Sequence, residues 1–316
     1  MNVAAWRGAV RLWPKRPKDP ATMTSRRSPR SLRSELRGAH SAMTLAWGVV
    51  CVAWVGAYEV ALFLLHRGSW PRYRRLCWWC AGALLALAGL PPVEPRAGQV
   101  VWVQALQFAL LLFGVAPLSA LGAPIVAFRR VPATRVPISN RRRTSWARDV
   151  RRAPLRGWLG MFGFWVVMVG WRVPPAVDAL ATHRGWLWLE AGSLVLGGWL
   201  LWSALIGSPP WLALHERPRR MAMVAVAMWS TWIFAYIVGF ASSPFYPAFA
   251  REPNSMSNQE IAVAILWAVS AAVFVPVFFA NLTRWLRSEE TPRRSSLLHA
   301  LEGKAAHPRL EGHGGS

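Results

Sequence analysis

The stretch CWWC at residues 77–80 has the C-x-x-C spacing that binds soft metals or cycles between dithiol and disulfide. On a helix it places Cys77 and Cys80 near one face. The ionisable residues scattered through apolar surroundings are a second set: Glu59, Arg172, Asp178, Glu190 and Glu260. A charge in a membrane segment is costly and marks a functional candidate. Gln104 and Gln107 open an otherwise apolar stretch that closes on Pro117 and on a Gly-Ala-Pro at 122–124. Seven histidines, at 40, 66, 183, 215, 299, 307 and 313, supply no pair at i, i+4. That spacing would set two imidazoles on one helical turn for a metal. There is no phosphate loop, nucleophile elbow, zinc-protease helix or dinucleotide fingerprint, and no catalytic residue is assigned. The chain reads as a non-enzyme.

The elements that must position these groups are membrane spans. With 54% hydrophobic residues and 21 tryptophans in 316 residues, long apolar runs dominate. Seven are expected, at 43–65, 76–93, 100–128, 157–177, 185–206, 221–240 and 261–282, the second being short and rich in small residues. Helices satisfy their own backbone in lipid, and no segment alternates with period two, so the fold class is an all-α polytopic bundle rather than a barrel. Tryptophans 47, 78, 79, 102, 158, 171, 186, 188, 267 and 285 stand near span ends, as an aromatic belt would.

The net charge of +23 sits between the spans. This points to anionic lipid rather than nucleic acid. Lys and Arg number four at 66–75, one at 91–99, ten at 129–156, one at 178–184, three at 207–220, one at 241–260 and six after residue 282. The alternation places the C-terminus in the cytoplasm of a cell membrane. It also places Gln104, Arg172, Asp178, Glu190 and Glu260 together at the outer face. Residues 1–42 conflict with this orientation, since 1–40 carry ten basic residues and two acids. Either a span is miscounted, or translation begins at Met23 or Met43 and this basic segment is missing from the mature protein. Residues 43–288 form the membrane domain, and the polar tail at 289–316 is expected to be disordered.

Several short motifs then fall in a consistent order. They are VAPLSALGAP (115–124), GWRVPPAVDAL (170–180), WLEAGSLVLGGWLLW (188–202), SPFYPAFA (243–250), SNQEIAVAILW (257–267) and RWLRSEE (284–290). From about Trp47 to Glu290 the chain resembles the CtaG family of bacterial cytochrome c oxidase assembly factors. Those are seven-span proteins linked to copper insertion. The resemblance implies oxidase subunits as partners, and copper as a cofactor only by relation. It also marks departures. The family's H-x-x-Q-H segment aligns with Gln104, Gln107 and Phe108, keeping the glutamine and losing both histidines. Its W-H-x-P histidine is Arg172, with Asp178 retained. The histidines flanking its L-E segment become Leu187 and Ala191, with Glu190 retained. Its D-Q pair becomes Asn258 and Gln259. Imidazole binds copper well, whereas guanidinium and aliphatic side chains do not. No cofactor is therefore expected.

Two other readings stay open. Glu59, Arg172, Glu190 and the span prolines could line a transporter or channel pathway, although no internal repeat is visible. The arginine-rich connection could instead dock a membrane scaffold on lipid or a partner. For Arg172, pairing with Glu190 and snorkelling to the interface are both possible.

Overall fold

The computed structural model describes residues 29–64, 70–89, 93–128, 155–183, 185–209 and 216–305. The chain divides into units Met1–Ser41 and Ala42–Ser316, and the second holds the helical bundle. Most of the basic N-terminal segment and of the ten-arginine connection lies outside the described residues.

Every regular element among the described residues is helical. The helices are α1 (Pro29–Leu64), α2 (Arg72–Gly89), α3 (Val93–Ala97), α4 (Val101–Ala109), α5 (Ala116–Gly122) and α6 (Pro124–Phe128). After them come α7 (Leu155–Gly170), α8 (Pro174–Thr182), α9 (Trp186–Trp202), α10 (Arg217–Gly239) and α11 (Ser255–Ala305). Five segments are long and apolar enough to cross a membrane: Ala42–Leu64, Val101–Gly122, Trp186–Gly207, Arg217–Gly239 and Ser255–Ser288. The apolar α7 is shorter, and α2 begins with three arginines in four residues, which lowers its apolar character.

Three expected spans end earlier than their hydropathy suggests. Pro174 and Pro175 exclude a helical Val173, which is extended at φ −70° and ψ 143°. The 157–177 run therefore breaks after Gly170, and α8 leaves in a new direction. The 100–128 run breaks at Ala123, which adopts a left-handed φ of 54° before Pro124. Tyr58 Oη donates to the Gly122 carbonyl at 2.7 Å and satisfies an acceptor that this ending frees. The 76–93 run stops at Gly89, and Val93 begins α3. α11 runs on past residue 288 to Ala305.

Between α4 and α5 the segment Leu110–Val115 is π-helical. Its wider turn precedes Pro117, whose ring lacks an N–H and would clash with an ordinary preceding turn. This combined α4–α5 segment is the central one. Its most apolar 18-residue window is 72% buried, against 22% for α1 and for α11. Phe113 from its π-turn meets Phe164 of α7 at 6.3 Å and Phe274 of α11 at 5.7 Å, while Trp202 of α9 stacks on Phe274 at 5.2 Å. One aromatic cluster thus ties four helices.

The tryptophans divide. Trp79, Trp158, Trp186 and Trp267 are exposed on the outer surface, as a belt requires. Trp47 and Trp78 are buried instead, donating to the Leu85 carbonyl at 2.9 Å and the Trp54 carbonyl at 3.0 Å. These two clip α1 to α2 rather than anchor a headgroup.

Glycine at 198 permits the close approach of α9 to α5. A Cβ there would lie 2.6 Å from the Ala116 Cβ, while one at Gly192 meets nothing within 4 Å. Gly192→Ala should raise the thermal midpoint in detergent slightly, because alanine favours helix by about 1 kcal/mol. Gly198→Ala should lower it, since overpacking costs about 1–3 kcal/mol. Equal shifts would contradict this packing.

Candidate functional site

The chain direction collects the polar candidates at one end of the bundle. Gln104 and Gln107 lie in the first turns of the central helix, Glu190 in the first turns of α9, and Arg172 just past the end of α7. Asn258 and Gln259 open α11. Arg172, Asn258 and Gln259 are near the loop between α10 and α11.

Gln104, Gln107 and Glu190 line one small cavity of about 30 Å³ together with Ala97, Gly98, Leu180 and Leu187. All three polar side chains are buried, at 4%, 2% and 2% exposure. Gln107 Nε2 donates to the Ala88 carbonyl at 2.7 Å, which fixes its amide and turns the oxygen into the acceptor side. Gln104 Oε1 has no protein donor. Among the described residues, no hydrogen bond or ion pair reaches the Glu190 carboxylate either. A buried oxygen without a donor is costly. Space for a water needs roughly 10–15 Å³, so the cavity accepts one or two small molecules that donate hydrogen bonds.

Arg172 is 2% exposed and so does not snorkel. Nor does it form an ion pair with Glu190, though the two feel each other electrostatically. Its guanidinium lies over the Phe108 ring at 4.2 Å, with the Tyr246 phenol and Glu190 as its electrostatic neighbours. Cation–π stacking of this kind strengthens once water is removed. Nε and Nη2 have no acceptor. Burial pushes the Tyr246 phenol above its ordinary range, and the neighbouring Arg172 pulls it back. The phenol stays protonated at neutral pH. Tyr246 is a residue to which the motifs gave no role. Its signal was present, since Pro247 forces it into extended backbone at φ −107° and ψ 109°.

The remaining candidates hold the loop that delivers Tyr246. Asp178 Oδ1 accepts from Ala248 N at 2.9 Å, capping the short 3₁₀ turn Pro247–Phe249. Gln259 Oε1 accepts from Phe245 N at 2.8 Å, and its Nε2 donates to the Val238 carbonyl at 2.8 Å. Asn258 Nδ2 donates to Glu252 Oε2 at 2.8 Å. Of the expected outer-face set, Gln104, Glu190 and Arg172 are buried in the interior with Gln107, Asp178 joins Asn258 and Gln259 in holding the loop above it, and Glu260 is exposed on the surface.

Two other candidates lie apart. Glu59 is held by Arg75 Nη2 at 2.7 Å and by Trp79 Nε1 at 2.9 Å, at the opposite end of α1 from Trp47. It is neutralised on the outer surface and lines no interior path. Cys77 is half-buried, Cys80 is exposed, and both are free thiols, as is Cys51.

The match to a known family covers this whole arrangement. The family model described as cytochrome c oxidase caa3 assembly factor (Caa3_CtaG) matches residues 56–288. The chain belongs to the Caa3_CtaG family. That span runs from the last turns of α1 to the apolar part of α11, and includes every polar candidate described above. Comparison with curated proteins and with solved structures finds no match.

The polar end of this Caa3_CtaG member presents a mixed donor set. Two amides, one carboxyl, a phenol and a guanidinium face the interior, and among the described residues no group of three His, Cys, Asp or Glu could hold a metal ion. His183, at the end of α8, is exposed and bonded to Thr182. Copper favours imidazole and sulfur donors, so these residues do not fit it.

Arg172→Met should lower the thermal midpoint, because Glu190 then loses the opposite charge acting on it. Breaking a direct buried pair costs about 3–5 kcal/mol, which is an upper bound for this looser arrangement. Arg172→Met combined with Glu190→Gln should recover part of the loss, with a coupling of about 1 kcal/mol in a double-mutant cycle. Strict additivity would show that the two groups do not sense each other.

Proposed function

We propose that this protein is a membrane-embedded, non-catalytic assembly factor for a cytochrome c oxidase, acting without copper of its own. The family match across residues 56–288 carries this reading. The full topology in this reading is seven passes: the five long apolar segments plus α2 and α7. The alternation of arginine-rich and arginine-poor connections sets the C-terminus in the cytoplasm of a bacterial plasma membrane. The polar end then faces outward, where an oxidase subunit presents its extracytoplasmic parts.

The resemblance links the family to copper, and five of its histidine positions, or their equivalents, hold Gln104, Phe108, Arg172, Leu187 and Ala191 here. In this reading the Arg172 guanidinium supplies a fixed positive charge in the polar interior, stacked on Phe108 and set near Glu190. The interior is preserved as a shape that positions the α10–α11 loop. That loop, with Tyr246 turned inward, becomes the surface offered to an oxidase subunit. A transport reading is less well supported, since Glu59 is bound by Arg75 and Trp79 on the outside of the bundle.

Deleting the gene should reduce assembled oxidase subunits and oxidase activity in isolated membranes, and the wild-type gene should restore both. Normal activity with normal subunit levels in the deletion strain would overturn the assembly role.

A further inference from the structure

Glu260 belongs neither to the buried interior nor to the groups that hold the α10–α11 loop. It is exposed, and among the described residues no cation pairs with it and no donor bonds it. The segment 241–260 carries one basic residue, Arg251, and two acids, Glu252 and Glu260. The start of α11 is therefore locally acidic in a chain of net charge +23.

The Glu260 side chain lines a groove of about 360 Å³ between α10 and α11. Trp232, Tyr236 and Phe240 line it from α10, and Val263 and Trp267 line it with Glu260 from α11. Residues three or four apart share one face of a helix, so each set forms a single wall. The two walls are in register. Trp232 lies 5.3 Å from Trp267, and a Cβ on Gly239 would lie 3.2 Å from Val263 Cγ1. Gln259, beside Glu260, bonds the Val238 carbonyl at 2.8 Å and fixes the helix ends to each other. The groove thus has a charged end at Glu260 and Phe240 and an aromatic end at Trp232 and Trp267. From Phe240 back to Trp232 is about 12 Å of helix, leading from the end of the span Arg217–Gly239 into its apolar interior. Tyr236, Phe240 and Trp267 are all exposed, so the groove opens on the surface that faces the bilayer.

The lining states what would fit. A carboxylate without a cation calls for a positive charge. Tyr236 and Phe240, stacked at 5.7 Å beside it, attract the same charge through their ring faces. The rest of the groove calls for hydrocarbon. Its volume falls in the range of small-molecule sites, roughly 300–1,000 Å³. Its nine lining residues fall short of the roughly 20–30 on each side of a stable protein interface. An amphiphile with a cationic head suits it better than a helix of another protein.

We infer that this groove holds a phospholipid with a primary ammonium headgroup, the ammonium on Glu260 and one acyl chain along Val263 and Trp267. A primary ammonium donates three hydrogen bonds to a carboxylate, whereas a quaternary ammonium donates none. The inference rests on the membrane position of the chain and not on its role in oxidase assembly.

Native mass spectrometry of the full-length protein in detergent tests it. Phosphatidylethanolamine, phosphatidylcholine and phosphatidylglycerol with matched acyl chains are titrated separately, as is soluble phosphoethanolamine. Phosphatidylethanolamine should bind most tightly. Glu260→Gln should weaken it about three- to fivefold, the worth of an exposed charge pair, and erase its preference over phosphatidylcholine. Glu216→Gln, which removes an exposed carboxylate at the other end of α10, should change it less than about 1.5-fold. No preference for phosphatidylethanolamine in the wild-type protein, or equal weakening in both variants, would overturn the site. Phosphoethanolamine binding as tightly as the lipid would overturn the lipid and leave a soluble-amine site. Ala264→Trp fills the groove from an exposed position and keeps every charge. It should reduce phosphatidylethanolamine binding even if Glu260→Gln fails to fold, and undiminished binding would overturn the groove assignment. Lipid-free dimers that Ala264→Trp disrupts would overturn the lipid in favour of a second copy of the chain.

Discussion

A helix surrounded by other helices has to satisfy or bury everything it carries, and the central segment Val101–Gly122 imposes that condition on the rest of this protein. Its π-turn at Leu110–Val115 admits Pro117 without a broken helix, and presents Phe113 to Phe164 and Phe274. Small residues on the facing helix, above all Gly198, then allow α9 to close on it. Its lower end is finished by the left-handed Ala123 and by Tyr58 on the Gly122 carbonyl. Its upper end carries two buried amides, Gln104 and Gln107. Gln107 is tolerated because it bonds the Ala88 carbonyl, whereas Gln104 Oε1 has no protein donor and both line the small polar cavity.

The upper end therefore behaves as a buried polar junction. Gln107 is bound to α2 through the Ala88 carbonyl. Arg172 joins the end of α7 to Phe108 of the central helix and to Tyr246 of the α10–α11 loop. Asp178 and Gln259 hold that loop down from two sides. A loop fixed at so many points is a rigid presenting surface, which suits recognition of a partner more than passage of a solute. In the proposed reading, that surface is what an oxidase subunit meets.

Much of this was legible in the sequence. Hydropathy located the helices, and the prolines of VPP and GAP marked where helices stop, although the long apolar runs masked those stops. The alternation of basic connections put Gln104, Arg172, Asp178, Glu190 and Glu260 at one face; Gln104 and Glu190 share a cavity there, whereas Glu260 is exposed. The rest depended on side-chain direction. Trp47 and Trp78 resembled interfacial anchors by position, yet both turn inward to bond a carbonyl. Glu59 looked like an interior carboxylate, but Arg75, on the next helix, lies 2.7 Å from it. Arg172 had two plausible fates in sequence, an ion pair or snorkelling. It takes neither: it is buried with its guanidinium stacked over the Phe108 ring. Contacts between different helices leave no local periodicity to read.

The most direct measurement is copper stoichiometry. Purified full-length protein would be equilibrated anaerobically with Cu(I), and separately with Cu(II), then desalted and its metal content measured per chain. A polar end built from amides, a carboxyl, a phenol and a guanidinium predicts substoichiometric copper, and no further loss in Gln107→Ala or Glu190→Ala. One copper per chain that persists in Cys77→Ser/Cys80→Ser and disappears in Glu190→Ala would contradict it, since the metal would then be held at the site that Arg172 occupies.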